Sequence, residues 1–112
     1  MKYALLIYVK PGSLDGLSDD ERSAITAEYL SIGQDPGVFA GERLAPFDTA
    51  TTVRVSDGQT LTTDGPFADT KEVFAGYYLL EADNVDKAID LASRAPATRM
   101  GGSVEIRPLV EQ

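Results

Sequence analysis

An α+β sandwich, two helices laid on one face of a sheet, is the fold that this chain of 112 residues predicts. Three observations carry the prediction. Lys2 to Val9 and Val73 to Glu81 are dense in strand formers with apolar groups on both faces, which places them inside a layered structure. Two other segments carry helix-start signals and helical apolar spacing. The signals run strand, helix, strand, hairpin, strand, helix, strand, an order that resembles a ferredoxin-like sandwich with an inserted β-hairpin.

The first strand alternates Tyr3, Leu5, Ile7 and Val9 with Ala4, Leu6 and Tyr8 and stops at Pro11-Gly12. Ser18 followed by Glu21 is a capping-box pattern, and Asp19, Asp20 and Glu21 suit the positive end of a helix dipole. With Ile25, Tyr29 and Ile32 at helical spacing, a helix is predicted over Asp19 to Ile32, closed by Gly33. After Asp35-Pro36-Gly37, Val38 to Leu44 is a weaker strand, stopped by Pro46. Thr51 to Val55 and Gln59 to Thr63 flank Ser56-Asp57-Gly58 and predict the hairpin. A two-residue Asp-Gly loop would set Val53 opposite Thr62, and a three-residue loop with Gly58 at a bulge would set it opposite Leu61. Pairing apolar with apolar favours the bulged turn. Beyond the strand Val73 to Glu81, Asn84 or Asp83 caps a second helix with Val85, Ala88, Ile89, Ala92 and Ala95 as its inward stripe, broken by Pro96. In the last strand, Ser103 to Leu109, Val104, Ile106 and Pro108 alternate with Ser103, Glu105 and Arg107.

Two helices cover one face of such a sheet, yet both apolar strands carry large groups on each side, among them Leu6, Tyr8, Tyr78 and Leu80. Each such side chain gains roughly 1.5–3 kcal/mol on burial, so leaving the second face in water would forfeit much of a domain's stability. A second copy of the same sheet is the expected cover. The chain is therefore read as one domain over residues 1–112 that forms a homodimer, with the face occupied by Leu6 left open.

Eighteen acidic against ten basic residues leave a net charge of −8, which opposes phosphate backbones and anionic lipid surfaces. The basic residues form no cluster, so neither nucleic acid nor membrane is expected as a partner. Cysteine and histidine are both absent. Thiolate nucleophiles, Ser-His dyads and His- or Cys-ligated zinc are excluded with them, and the carboxylates lack calcium-loop spacing. No metal and no organic cofactor is expected. Acid–base work falls to carboxylates, Lys or Tyr. No segments stand in signal-peptide order and no apolar run approaches membrane-spanning length, so a cytoplasmic protein is expected.

The most unusual stretch is Thr62-Thr63-Asp64-Gly65-Pro66-Phe67-Ala68-Asp69-Thr70-Lys71-Glu72, a charge-dense loop punctuated by Gly-Pro and leading into a strand. Asp64 is a turn former or, if held in a cleft, a catalytic carboxylate. Lys71 either pairs with Glu72 in solvent or binds an anionic substrate. Tyr8, Tyr77 and Tyr78 suit core or interface packing, though Tyr8 stands at a strand end where a phenol can face a cleft. Arg43 and Arg54 interrupt apolar patterns and call for a partner, met by Glu42 or Asp48, or by a substrate in the case of Arg43. Gly101-Gly102 lacks the context of a phosphate loop.

The run T-T-V-R-V-S-D-G-Q-T-L-T-T-D-G-P-F-A-D-T-K-E, followed by G-Y-Y-L-L-E-A, D-K-A-I-D-L-A and G-S-V-E-I-R-P, resembles the YCII-related family, in its branch named for an Asp-Gly-Pro-Phe motif. The resemblance spans nearly the whole chain. It implies a dimeric α/β barrel, two ferredoxin-like sheets packed face to face. For activity it implies little: some relatives are dehalogenating lyases, and genes of this branch often lie beside alternative sigma factors. Relatives that look enzymatic pair a His with an Asp, and this chain has no His. Two functions follow as expectations. One is a lyase or isomerase acting on a small carboxylated molecule, with Asp64 as acid or base and Lys71, Arg43 and Tyr8 binding substrate. The other is a non-enzymatic accessory dimer with the same pocket.

Overall fold

Strands and helices follow one another in the predicted order in the computed structural model, which describes residues 1–66 and 71–111. They are β1 (Lys2–Val9), α1 (Asp19–Gly33), β2 (Val38–Arg43), β3 (Thr51–Ser56), β4 (Gln59–Asp64), β5 (Val73–Glu81), α2 (Val85–Ser93) and β6 (Ser103–Pro108). The main sheet has the order β2-β5-β1-β6 with every neighbouring pair antiparallel, and β3-β4 form a separate two-stranded sheet. The fold is α+β, with β1 and β5 at the centre as their two-sided apolar pattern requires.

The capping box at Ser18 is formed in both directions, each bond 3.1 Å, and starts α1 where the sequence placed it. Gly33 does not end α1. It stays helical, and the turn closes one residue later, where the Gln34 N–H reaches the Leu30 and Ser31 carbonyls. In α2 the cap is Asn84, whose side chain accepts the Asp86 N–H at 3.0 Å. The inward stripe of α2 is rotated from the expected one. Ala88, Leu91, Ala92 and Ala95 are buried, while Val85 and Ile89 face solvent.

Register sorts the main sheet into two faces. Tyr3 lies opposite Leu80, Leu5 opposite Tyr78 and Ile106, and Ile7 opposite Gly76 and Val104. These residues face the helices and join Ile32, Ala88, Leu91 and Ala92 in the core. Ala4, Leu6 and Tyr8 occupy the other face beside Leu79, Tyr77 and Phe74. No helix covers that side. The Tyr8 and Phe74 rings pack there 5.6 Å apart, and the Lys2 ammonium sits 5.6 Å from the centre of the half-exposed Phe39 ring.

The hairpin corrects a second expectation. Ser56 pairs with Gln59 and Val53 with Thr62, so the loop has two residues, Asp57 and Gly58, at φ 49° and 77°. Two positive φ values in succession are the primed turn that matches strand twist. The bulged register assumed a buried face that would align Val53 with Leu61. Both faces of the hairpin are exposed in the chain, so turn geometry sets the register.

Asp35 ties the α1–β2 turn to α2. Its carboxylate accepts the Gly37 N–H at 3.0 Å and meets the Lys87 ammonium at 3.0 Å. The Gly37 bond first, and then Lys87, hold its pKa below the ordinary value. A carboxylate with a depressed folded pKa adds stability above its unfolded value of about 3.9, and that stability is lost as pH falls through the folded value. Stability by urea titration is therefore expected to fall once the pH drops below about 4, and Asp35→Asn should flatten this part of the drop.

Candidate functional site

The ends of β1 and β2 and the starts of β5 and β6 meet at one end of the sandwich, because Tyr8 lies opposite Phe74 and Ser103 and Arg43 lies opposite Gly76. All the residues singled out from the sequence fall toward this end. Tyr8 stands near the end of β1, Arg43 ends β2, Asp64 ends β4 at the base of the hairpin, and Lys71 precedes β5. Leu44, just beyond β2, donates to the Ala75 carbonyl at 2.9 Å, and the base of the hairpin is closed on itself: Gly65 N–H donates to the Ala50 carbonyl at 2.7 Å and the Thr52 hydroxyl to the Gly65 carbonyl at 2.7 Å. Asp64 is an exposed strand terminus opposite Thr51, and the positive φ of 99° falls on Gly65. Phe67, which completes the Asp-Gly-Pro-Phe motif, and Ala68 to Thr70 lie outside the described residues.

The candidates do not share one surface. Tyr8 is half-buried on the open face, Arg43 stands on the helix-facing side, and Lys71 is exposed. The salt bridge expected from Arg43 to Glu42 or Asp48 is not formed. Glu42 and Arg43 are successive strand residues and so point to opposite faces, Glu42 opposite Tyr77 and Arg43 opposite Gly76. The ion pairs among the described residues are Met1–Glu81, Lys87–Asp35 and Arg99–Glu28. Arg43 is in none of them.

The surroundings of Arg43 contain two residues that the sequence did not mark as site candidates. Gly41, two residues earlier on the same side, lets the Tyr78 ring lie against the strand; a Cβ there would sit 2.8 Å from the ring. Tyr78 donates its hydroxyl to the Tyr29 carbonyl at 2.7 Å, and the Tyr29 hydroxyl accepts the Ala97 N–H at 3.1 Å. These bonds lock β5, α1 and the Pro96–Arg99 turn together. The Arg99 guanidinium then meets Glu28 at 2.7 Å on the outside of the joint.

Burial, with a smaller contribution from Tyr29, pushes the Tyr78 phenol up to about 12. Burial also raises Tyr29, while the Ala97 N–H and the charges of Arg99 and Arg43 pull it down. Tyr29 is thus a neutral phenol whose oxygen accepts the Ala97 N–H, within the field of two arginines. Its place in an apolar helical stripe was visible in the sequence, and a buried phenol needs a partner for its oxygen. That partner is a backbone N–H 68 positions away.

Chemically, this end offers a planar guanidinium on the helix-facing side with no ion-pair partner among the described residues, and a carboxylate and an ammonium exposed at the base of the hairpin and before β5. The guanidinium suits a small anion. The gap in the core among Leu5, Ile32, Tyr78 and Leu91 leaves no room for water. A groove of about 430 Å³ runs along the outer side of α1 past Asp19, Arg22, Thr26 and Leu30. It is walled by one helix and carries none of the candidates. No group of three or more metal-binding side chains occurs among the described residues, and no helix among them is long and apolar enough to cross a membrane.

The family model described as the YCII-related domain matches residues 1–112. An uncharacterised protein of Rhizobium meliloti (strain 1021) is 38% identical over 117 aligned residues, covering 97% of this chain and 92% of that protein. Among solved structures, 5-chloro-2-hydroxyhydroquinone dehydrochlorinase from Burkholderia phenoliruptrix AC1100, in complex with 2,5-dihydroxybenzoquinone, aligns with a TM-score of 0.54 at 17% identity, covering 100% of this chain and 96% of that one. At that identity the likeness concerns the fold.

Proposed function

Because the chain belongs to the YCII-related domain family, we propose that it acts as a homodimer of α/β-barrel type that binds a small carboxylated molecule and works on it as a lyase or isomerase. The observation that carries the ligand class is Arg43, a guanidinium on the helix-facing side of the sheet with no ion-pair partner among the described residues. The structural neighbour is named for dehydrochlorination and holds a small quinone, which supports small-molecule elimination chemistry as the class to test.

The dimer is supported by area. The chain exposes 7708 Å², against about 6,000 Å² for a compact monomer of its 12.0 kDa mass. An excess of about 1,700 Å² per copy is of the size that obligate homodimers bury. The open face, with Leu6, Tyr8, Phe74, Tyr77 and Leu79, is the natural place for it.

In the proposed chemistry Arg43 binds the ligand carboxylate and Lys71 helps hold the molecule, while Tyr8, on the opposite face of the sheet, belongs to the dimer contact. Asp64 takes a proton from the adjacent carbon. The C–H electron pair becomes a double bond as a leaving group departs with its own pair, or the proton returns at a neighbouring carbon in an isomerisation. A carboxylate is an effective base once shielded from water, and Asp64 is exposed in the single chain, so this role depends on the second copy or the ligand closing over it.

A thermal-shift screen of small mono- and dicarboxylic acids tests the proposal. At least one should raise the melting temperature of the parent, with the shift lost in Arg43→Gln and reduced in Lys71→Met. Asp64→Asn should keep the shift and lose turnover, because Asn retains the shape without exchanging a proton. Equal shifts in parent and Arg43→Gln would contradict the site, and unchanged turnover in Asp64→Asn would remove Asp64 from the chemistry.

A further inference from the structure

We propose that the β3–β4 hairpin is a dimerisation arm in which Val53, Val55, Thr60 and Thr62, the uncharged outer part of a face that ends at Thr51 and Asp64, pack on the second copy of the chain. The proposal rests on the homodimer put forward above and adds to it a contact outside the sheet. Register places the four residues together, since Val53 lies opposite Thr62 and Val55 opposite Thr60. All four are exposed in the single chain, Val53 by 59% and Val55 by 70%. Isolated β-branched residues on a surface are ordinary. Four of them on one face of an arm with nothing packed on it are not.

An isolated two-stranded hairpin is marginally stable in water and needs a further strand or a packed face. This one is hydrogen-bonded to itself, down to the Gly65, Ala50 and Thr52 bonds that close its base. Its strands of six residues reach about 20 Å. The molecule is correspondingly spread out: it measures 45 × 45 × 19 Å with a radius of gyration of 15.9 Å, where a compact domain of this length has about 13 Å. The arm therefore accounts for part of the surface excess, and covering it contributes to the area that a stable dimer needs.

The occupant follows from charge and position. Two copies each carrying −8 repel, so the surfaces they bring together must be poor in charge, and this face has none among its four residues. The arm also springs from the end of the sheet where Tyr8 and Phe74 pack on the open apolar face, which brings its base near the surface assigned to the second copy.

Two measurements test the arm. Sedimentation of the double variant Val53→Asp/Val55→Asp should show a dimer dissociation constant raised at least 100-fold with the circular dichroism of the parent kept. Hydrogen exchange on the unmodified dimer should find the cross-strand amides of Arg54, Ser56, Gln59 and Leu61 protected, and the protection should fall when the protein is diluted to monomer. A double variant that dimerises like the parent overturns the arm and leaves the sheet-face dimer standing. If the double variant unfolds, exchange decides: hairpin amides exchanging at unfolded rates in the intact dimer, or protection unchanged by dilution, overturn the proposal. A parent that is monomeric at micromolar concentration overturns both the arm and the dimer.

Discussion

Leu6→Asp is expected to turn the dimer into a folded monomer. Leu6 is half-buried on the face that no helix covers, between Tyr77 on β5 and Glu105 on β6. In a face-to-face dimer each copy would bury a carboxylate in an apolar layer, and an unpaired buried charge costs several kcal/mol. At 1.4 kcal/mol per tenfold, dissociation by a factor of about 100 or more follows. The helix-facing core does not contain Leu6, so the monomer should keep its secondary structure. Sedimentation at micromolar concentration should give twice 12.0 kDa for the parent and one chain mass for the variant.

Leu91→Ala should be the most damaging apolar truncation in α2, and Ile89→Ala nearly silent. Leu91 is fully buried between α2 and the sheet, whereas Ile89 is 51% exposed. Emptying a well-packed leucine site costs about 2–5 kcal/mol, a large share of the 5–15 kcal/mol that holds a domain together. Urea titration at neutral pH should show a clear fall in midpoint for Leu91→Ala and little change for Ile89→Ala. The reverse order would mean that α2 is docked as the sequence pattern alone suggested.

That contrast shows where the sequence is legible. The expected stripe Val85, Ala88, Ile89, Ala92 and Ala95 and the observed one, Ala88, Leu91, Ala92 and Ala95, share three alanines, and the choice of Leu91 over Val85 and Ile89 depends on how α2 rolls against β1 and β6, which periodicity does not contain. The capping box of α1 and the bounds of β1 and β5 were readable because each rests on local chemistry or on a long apolar run. The hairpin register was misjudged for want of a buried face, and the turn residues Asp57 and Gly58 held the better information. At the candidate site, Arg43 was visible as a charge interrupting an apolar pattern. Tyr29 and Arg99 were not, because their partners, Ala97 and Glu28, are 68 and 71 positions away in the chain.

The central claim is that Arg43 holds the carboxylate of a small molecule at the end of the sandwich. Titration calorimetry tests it most directly, with the acid that gives the largest thermal shift titrated into the parent and into Arg43→Gln at the same pH and salt. A charge-assisted hydrogen bond contributes about 1.5–3 kcal/mol, so the account predicts an affinity lower by about 10- to 100-fold in the variant. Equal affinities in the two proteins would contradict it.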